Sequence, residues 1–339
     1  MTEKIFADVM GAVMLEENYI RVPVINMAEL NENCQELSIK VINTLETTGF
    51  LGISNIPKFN FKKLKMYCEW FFKQSQEAKD GLLRHTQRAE NKNVYRGYFT
   101  MSENKYSKQE GFEFGKDVEE NTGNWFYETS VWPPETDVDI GFKSFMLDIY
   151  DQMHDLAMTI LRLAAIGLGI SENSFEHLFN DKPCSSFRLF HYLSYGKLIP
   201  EKPITEDETV ISVGDHTDSN FLTLLHTFDY PGLQILTQNG EWHSVEPLPD
   251  GLIMNIGDVF SRIMDGRFKA TRHRVVDIGV DRYSVPFFLE PKYDGDISEH
   301  FMSKVTSDNR NHAVEHYGSR VTEIRRLKQF PEYVTLPNK

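Results

Sequence analysis

Disulfide chemistry has little to work with in this sequence. The three cysteines, Cys34, Cys68 and Cys184, are odd in number and far apart, and they form neither a disulfide framework nor a CxxC zinc pattern. That fits a reducing compartment, and a cytoplasmic protein is the expectation. Basic residues are also short: 36 Lys and Arg against 50 Asp and Glu leave a formal net charge of −14. This argues against a broad phosphate-binding surface, so no nucleic-acid partner is expected. Long apolar runs are missing. The most apolar helical stretch, Leu156 to Ile170, is short for a membrane span and contains Arg162; it reads as a buried core helix, with no membrane partner. The N-terminus carries early acids and lacks a basic segment ahead of an apolar run, so no signal peptide is read. Internal repeats, low-complexity tracts and linker-like segments are absent, and residues 1–339 read as a single compact unit, expected to be a monomer.

What is present is an ordinary globular composition, 40% hydrophobic and 25% charged, enough for a large core. The N-terminal region, 20–135, mixes helix and strand. IRVPVINM and TTGFLGISNI read as short strands, and Leu30 to Thr47 and Phe59 to Lys79 read as helices. The charged stretch Glu77 to Asn93 reads as a solvated helix end or loop. Phe142 to Leu168 has the clearest helical spacing in the chain, with apolar residues three and four apart. After Pro183 the texture changes to short β-type segments broken by Gly, Pro, Asn and Asp. Asn239-Gly240 between two such runs marks a hairpin. This pattern predicts an antiparallel sandwich or barrel, a mainly β protein with flanking helices. A charged C-terminal helix is expected over 309–330.

The chemistry concentrates in VISVGDHTDSNFLTLL, Val210 to Leu225. His216 and Asp218 are two apart, so on a strand both would leave one face. An imidazole and a carboxylate beside an apolar run are costly unless something coordinates them. His273, at the start of the strand-like HRVV, completes a set of two histidines and one carboxylate, the facial triad of non-haem Fe(II) oxygenases. His226 and His243 lack partners at ligand spacing and read as core or surface histidines. Arg282 and Ser284, again two apart, can hold a carboxylate, since the guanidinium fork matches one bidentately. Arg188, Phe190 and Tyr192 share a strand face, and Tyr192 could donate to the same anion.

Phe187 to Pro291 resembles the Fe(II)- and 2-oxoglutarate-dependent dioxygenases of the isopenicillin N synthase-like family. The resemblance is carried by HTDSNFLTLL, PGLQIL, GEWHSVEPLPDGLIMNIGD, DGRFKATRHRVV and RYSVPFFLEP. IRVPVINM, TTGFLGISNI, YRGYF and WPPE extend it over the N-terminal region. The resemblance implies a double-stranded β-helix (jelly-roll) core within 183–291. It implies Fe(II), 2-oxoglutarate and O2 as cofactors, with iron on His216, Asp218 and His273, and 2-oxoglutarate on Arg282, Ser284 and Tyr192. In place of the family's Asn-x-Tyr pattern this chain has Phe190 before Tyr192. A small-molecule substrate would be hydroxylated, desaturated, demethylated or cyclised, with release of succinate and CO2. Two alternatives stay open: an isopenicillin N synthase-type oxidase that needs no 2-oxoglutarate, and a non-catalytic jelly-roll binding protein. For the substrate pocket the reading selects Tyr95, Tyr98, Phe114, Arg188, Phe190, Leu222 and Phe288.

Overall fold

The computed structural model describes residues 19–100, 109–117, 124–134, 141–194, 205–206, 209–298 and 314–321. The elements run in chain order as β1 (Tyr19–Ile20), β2 (Val24–Asn26), α1 (Cys34–Thr47), β3 (Phe50–Ser54), α2 (Phe61–Phe72), α3 (Gln76–Asp80), β4 (Gly97–Phe99), β5 (Gln109–Phe114), α4 (Phe142–Gly167) and β6 (Ser186–Tyr192). Then come β7 (Thr205–Glu206), β8 (Thr209–His216), β9 (Leu222–His226), β10 (Leu233–Leu236), β11 (Trp242–Val245), β12 (Gly251–Ile256), α5 (Asp258–Ile263), β13 (His273–Val276) and β14 (Arg282–Leu289).

The strands form two sheets. One has six strands in the order β1-β11-β10-β13-β8-β7; the other has eight, in the order β2-β3-β12-β9-β14-β6-β5-β4. Mainly antiparallel pairing with long crossovers gives the jelly-roll core. The Asn239-Gly240 turn does join a hairpin, with Leu236 opposite Trp242 and Gly240 at a φ of +79°.

The N-terminal region is stitched into the larger sheet. IRVPVINM is split at Pro23: Tyr19–Ile20 joins the small sheet beside β11, and Val24–Asn26 joins the large one beside β3. Pro23 has no N–H to give a ladder, so the chain changes sheets there. The expected helix from Phe59 to Lys79 is also split, because Ser75 restarts it as α3 with its Oγ accepting from the Ala78 N–H.

Helix α4 buries Phe142, Met146, Ile149, Met153, Ile160 and Ala164 along one stripe, as its periodicity requires. It packs on β9, β14 and α1. Gly167 permits the α1 approach, since a Cβ there would sit 2.5 Å from Ile42 Cγ1 and 2.7 Å from the Ser38 carbonyl oxygen. The main core lies between α4, with its neighbouring helices, and the outer face of the large sheet, where Phe112, Phe187, Leu224 and Phe287 stand. A second cluster, Val22, Phe50, Leu233, Ile235, Val245 and Ile253, lies between the sheets.

The charged stretch after α2 is not wholly solvated. Lys79 and Arg84 are buried, on Glu110 (3.0 Å) and Glu113 respectively. Both acids are about 30 residues away on β5, so only strand pairing discloses them. Most of the expected C-terminal helix lies outside the described residues; within 314–321, Tyr317 is buried and donates its hydroxyl to Glu290 at 2.7 Å. Among the described residues no helix is long and apolar enough to cross a membrane.

Candidate functional site

The antiparallel pairing of β8 and β13 sets His216 directly opposite His273. Their rings are 4.3 Å apart, centre to centre. Asp218 is not on the strand: β8 ends at His216, and the carboxylate sits in the turn that leads to β9. The larger sheet holds it there. Asp218 Oδ2 accepts from Thr223 Oγ1 at 2.6 Å and from Asn255 Nδ2 at 2.7 Å. Asn220 donates to the Thr223 hydroxyl at 2.9 Å, so the hydroxyl proton is committed to Asp218. Oδ1 is left facing both histidines, 3.7 Å from Nε2 of each.

The histidine tautomers follow from their other nitrogens. His216 Nδ1 lies 2.8 Å from the Gly214 carbonyl, and His273 Nδ1 lies 3.1 Å from the Thr271 carbonyl. A carbonyl only accepts, so each Nδ1 carries a proton, which leaves Nε2 as the nitrogen that can ligate a metal. Two Nε2 atoms and one carboxylate oxygen thus converge; among the described residues these three are the one group able to hold a metal ion. Burial alone would raise the Asp218 carboxyl. The two imidazoles and the two hydrogen bonds outweigh it and hold the group below the ordinary carboxylate range. Burial pushes His273 down from its ordinary value, toward the neutral form that ligation needs. The His216 side chain is 40% exposed against 9% for His273, so the centre opens on the His216 side. Phe50 closes the other side, edge-on to His273 at 5.7 Å.

The proposed clamp comes together on the inner face of the large sheet. Arg282 pairs with Tyr192 and Ser284 with Phe190 across β14 and β6. The Arg282 guanidinium lies 3.8 Å from the centre of the Tyr192 ring, and Ser284 Oγ donates to the Tyr192 hydroxyl at 3.3 Å. Arg282 is buried, and its Nη2 has no hydrogen-bond partner among the described residues. Burial pulls its guanidinium down from the ordinary value, as expected for a cation lacking a full counter-charge. An orphaned, buried, forked donor beside two hydroxyls suits a carboxylate.

Of the seven pocket residues, the structure brings four together and removes three. Arg188, Phe190 and Phe288 lie on the inner face, and Tyr95 meets them by accepting from Arg188 Nη2 at 3.3 Å. Tyr98, Phe114 and Leu222 belong to the main core on the helix side. Tyr98 donates to Glu110, Phe114 packs on Trp132 and Phe187, and Leu222 is wholly buried. Each lies one residue from an inner-face neighbour: Phe99, Glu113 and Thr223. A one-residue slip in parity moves a side chain to the other face of a strand. Thr223, Asn255 and Asn220 were missed; a Thr one position beyond Leu222 was the signal available. His226 is a satisfied core histidine, with Nδ1 2.8 Å from the Gly251 carbonyl.

The fold is a jelly roll, and its His216, Asp218 and His273 donor set is of the kind that holds non-haem iron. Comparison with known proteins agrees. Residues 184–291 match the profile of the 2OG-Fe(II) oxygenase superfamily. Residues 22–135 match the N-terminal profile described as non-haem dioxygenase in morphine synthesis. A Dictyostelium discoideum protein named as a probable iron/ascorbate oxidoreductase is 28% identical over 303 residues, 81% of this chain and 82% of that one. Clavatol oxidase of Penicillium crustosum is 31% identical over 60% of this chain and 64% of its own length. Kihadalactone A synthase of Citrus sinensis is 30% identical over 55% of each chain. Among solved structures, a full-length Neurospora crassa protein in complex with alpha-KG and thymine has a TM-score of 0.73 at 25% identity, over 93% of this chain and 98% of that one. The chain belongs to the 2OG-Fe(II) oxygenase superfamily. It is an Fe(II)- and 2-oxoglutarate-dependent dioxygenase.

Proposed function

We propose that His216, Asp218 and His273 hold the iron, and that Arg282, Ser284 and Tyr192 hold the distal carboxylate of 2-oxoglutarate. The substrate is a small molecule seated against Phe190, Arg188 and Phe288. The reading includes a monomer working in the cytoplasm, which suits free Cys34, Cys68 and Cys184.

The observation that carries this reading is Asp218. Its Oδ2 is tied to the large sheet and its Oδ1 is 3.7 Å from both Nε2 atoms, which makes one three-point socket. With iron and 2-oxoglutarate bound, the site supplies oxidative decarboxylation that activates O2. The protein's own part is to fix the ligands, to supply the counter-charge for the cosubstrate, and to bring a substrate carbon to the open side.

The test is succinate release from iron-loaded protein offered candidate small molecules. Thymine comes first, because the Neurospora protein was solved with it. Succinate that rises with substrate and needs 2-oxoglutarate is the expected result. Substrate oxidation at full rate without 2-oxoglutarate would instead assign Arg282 and Ser284 to a substrate carboxylate.

A further inference from the structure

Three neighbouring strands carry a feature that the iron ligands and the clamp leave unused. Phe99, Gly111 and Phe190 stand in register across β4, β5 and β6 on the inner face. The two rings meet edge to face at 6.1 Å over the glycine. A Cβ at position 111 would lie 2.3 Å from Phe99 Cζ and 3.0 Å from Phe190 Cδ1. No side chain fits there unless a ring shifts. Phe99 has little freedom to give way, because the Arg84 guanidinium packs 4.3 Å from its ring centre and is held by the wholly buried Glu113.

Glu113 also holds a second arginine. Arg188 Nη2 donates to it at 3.2 Å and to the Tyr95 hydroxyl at 3.3 Å, with Nε 2.9 Å from the same carboxylate, which holds that guanidinium in place. The same guanidinium lies 4.7 Å from the centre of the Phe288 ring. Phe288 stands opposite Thr223, the residue that bonds Asp218. The wall therefore runs from the triad's carboxylate outward, with aromatic faces and an oriented cation along it.

Ring faces suit flat π-systems, and a guanidinium held in place suits an oxygen acceptor. We propose that Phe99, Phe190, Phe288 and Arg188 form a substrate subsite for a flat ring bearing a carboxylate or carbonyl oxygen, and that Gly111 sets its selectivity by admitting the two-ring wall. This rests on the oxygenase reading of the site.

The experiment measures binding of benzoate and of cyclohexanecarboxylate to the Fe(II)- and 2-oxoglutarate-loaded protein under nitrogen. The two probes share charge and differ in flatness. Benzoate is expected to bind about tenfold more tightly, the size of one to two ring contacts. Gly111→Ala is expected to bring that ratio to about one. Arg188→Gln is expected to weaken both probes about tenfold and preserve the ratio. A wild-type ratio near one, or a Gly111→Ala ratio equal to wild type, overturns the proposal. If Gly111→Ala does not fold, Phe190→Leu takes its place with the same two outcomes. Titrating 2-oxoglutarate into the iron-loaded wild type separates the two readings. Absent uptake sinks the oxygenase reading, whereas uptake with a probe ratio of one sinks only the subsite.

Discussion

The two faces of the eight-stranded sheet use the same strands for different ends. On β9, Leu222 and Leu224 face the helices and pack in the main core, while Thr223 between them bonds a metal-site carboxylate. On β14, Phe287 meets Tyr150 edge-on at 5.2 Å, and Ser284 and Arg282 turn the other way to the clamp. The helix face gains from close packing. The inner face holds buried polar groups, among them Thr223 on Asp218 and Arg282 beside the Tyr192 ring. Stability and chemistry are thus separated by about one residue along each strand.

Substitutions that strike one face only test this separation, and the largest effect belongs to the triad. Asp218→Ala is expected to abolish iron-dependent turnover and iron uptake while circular dichroism stays native; retained activity would refute the ligand assignment. Next is Phe287→Ala on the opposite face, expected to cost about 3–5 kcal/mol in urea unfolding by opening a cavity. Its folded fraction should still bind iron as the wild type does, and lost iron affinity there would break the comparison. Thr223→Val leaves the β9 backbone alone and removes the hydroxyl on Asp218. Iron affinity is expected to fall about 10–100-fold, read by competition with a chelator, with little change in unfolding midpoint.

The smallest effect concerns His226, on the helix face, whose imidazole burial pushes down to about 4. The unfolded chain takes up a proton near pH 6.5, and the folded chain does not until about 4. Stability is therefore complete above pH 6.5 and declines as pH falls toward 4. Urea unfolding is expected to show about 2 kcal/mol less stability at pH 5 than at pH 7 from this group, a difference His226→Gln should remove.

Much of the site was legible because its residues sit at strand ends with local spacing. His216, Asp218 and His273, and then Arg282 and Ser284, are each readable from a few neighbours. Even there the strand spacing misplaces one residue of the triad, since Asp218 lies in a turn and owes its position to Thr223 and Asn255. Helix α4 was legible from its period, and the β10–β11 hairpin from Asn239-Gly240. The parity of β4, β5 and β9 was not legible, for a physical reason. Both faces of this sheet are buried, so apolar residues do not alternate with polar ones: Tyr98 adjoins Phe99, and Leu224 adjoins Leu225. Lys79 and Arg84 read as solvated in the sequence because their acids lie on another strand.

The order of the large sheet bears on how the chain can be cut. Strands β2 and β3 cover one side of β12, and β5 and β4 cover one side of β6. A fragment beginning at residue 184 would keep His216, Asp218, His273, Arg282, Ser284 and Tyr192. It would also present two long apolar borders with unpaired backbone N–H and C=O groups, ready templates for intermolecular strand addition. Besides flanking the C-terminal half, the N-terminal half is thus expected to shield it from aggregation.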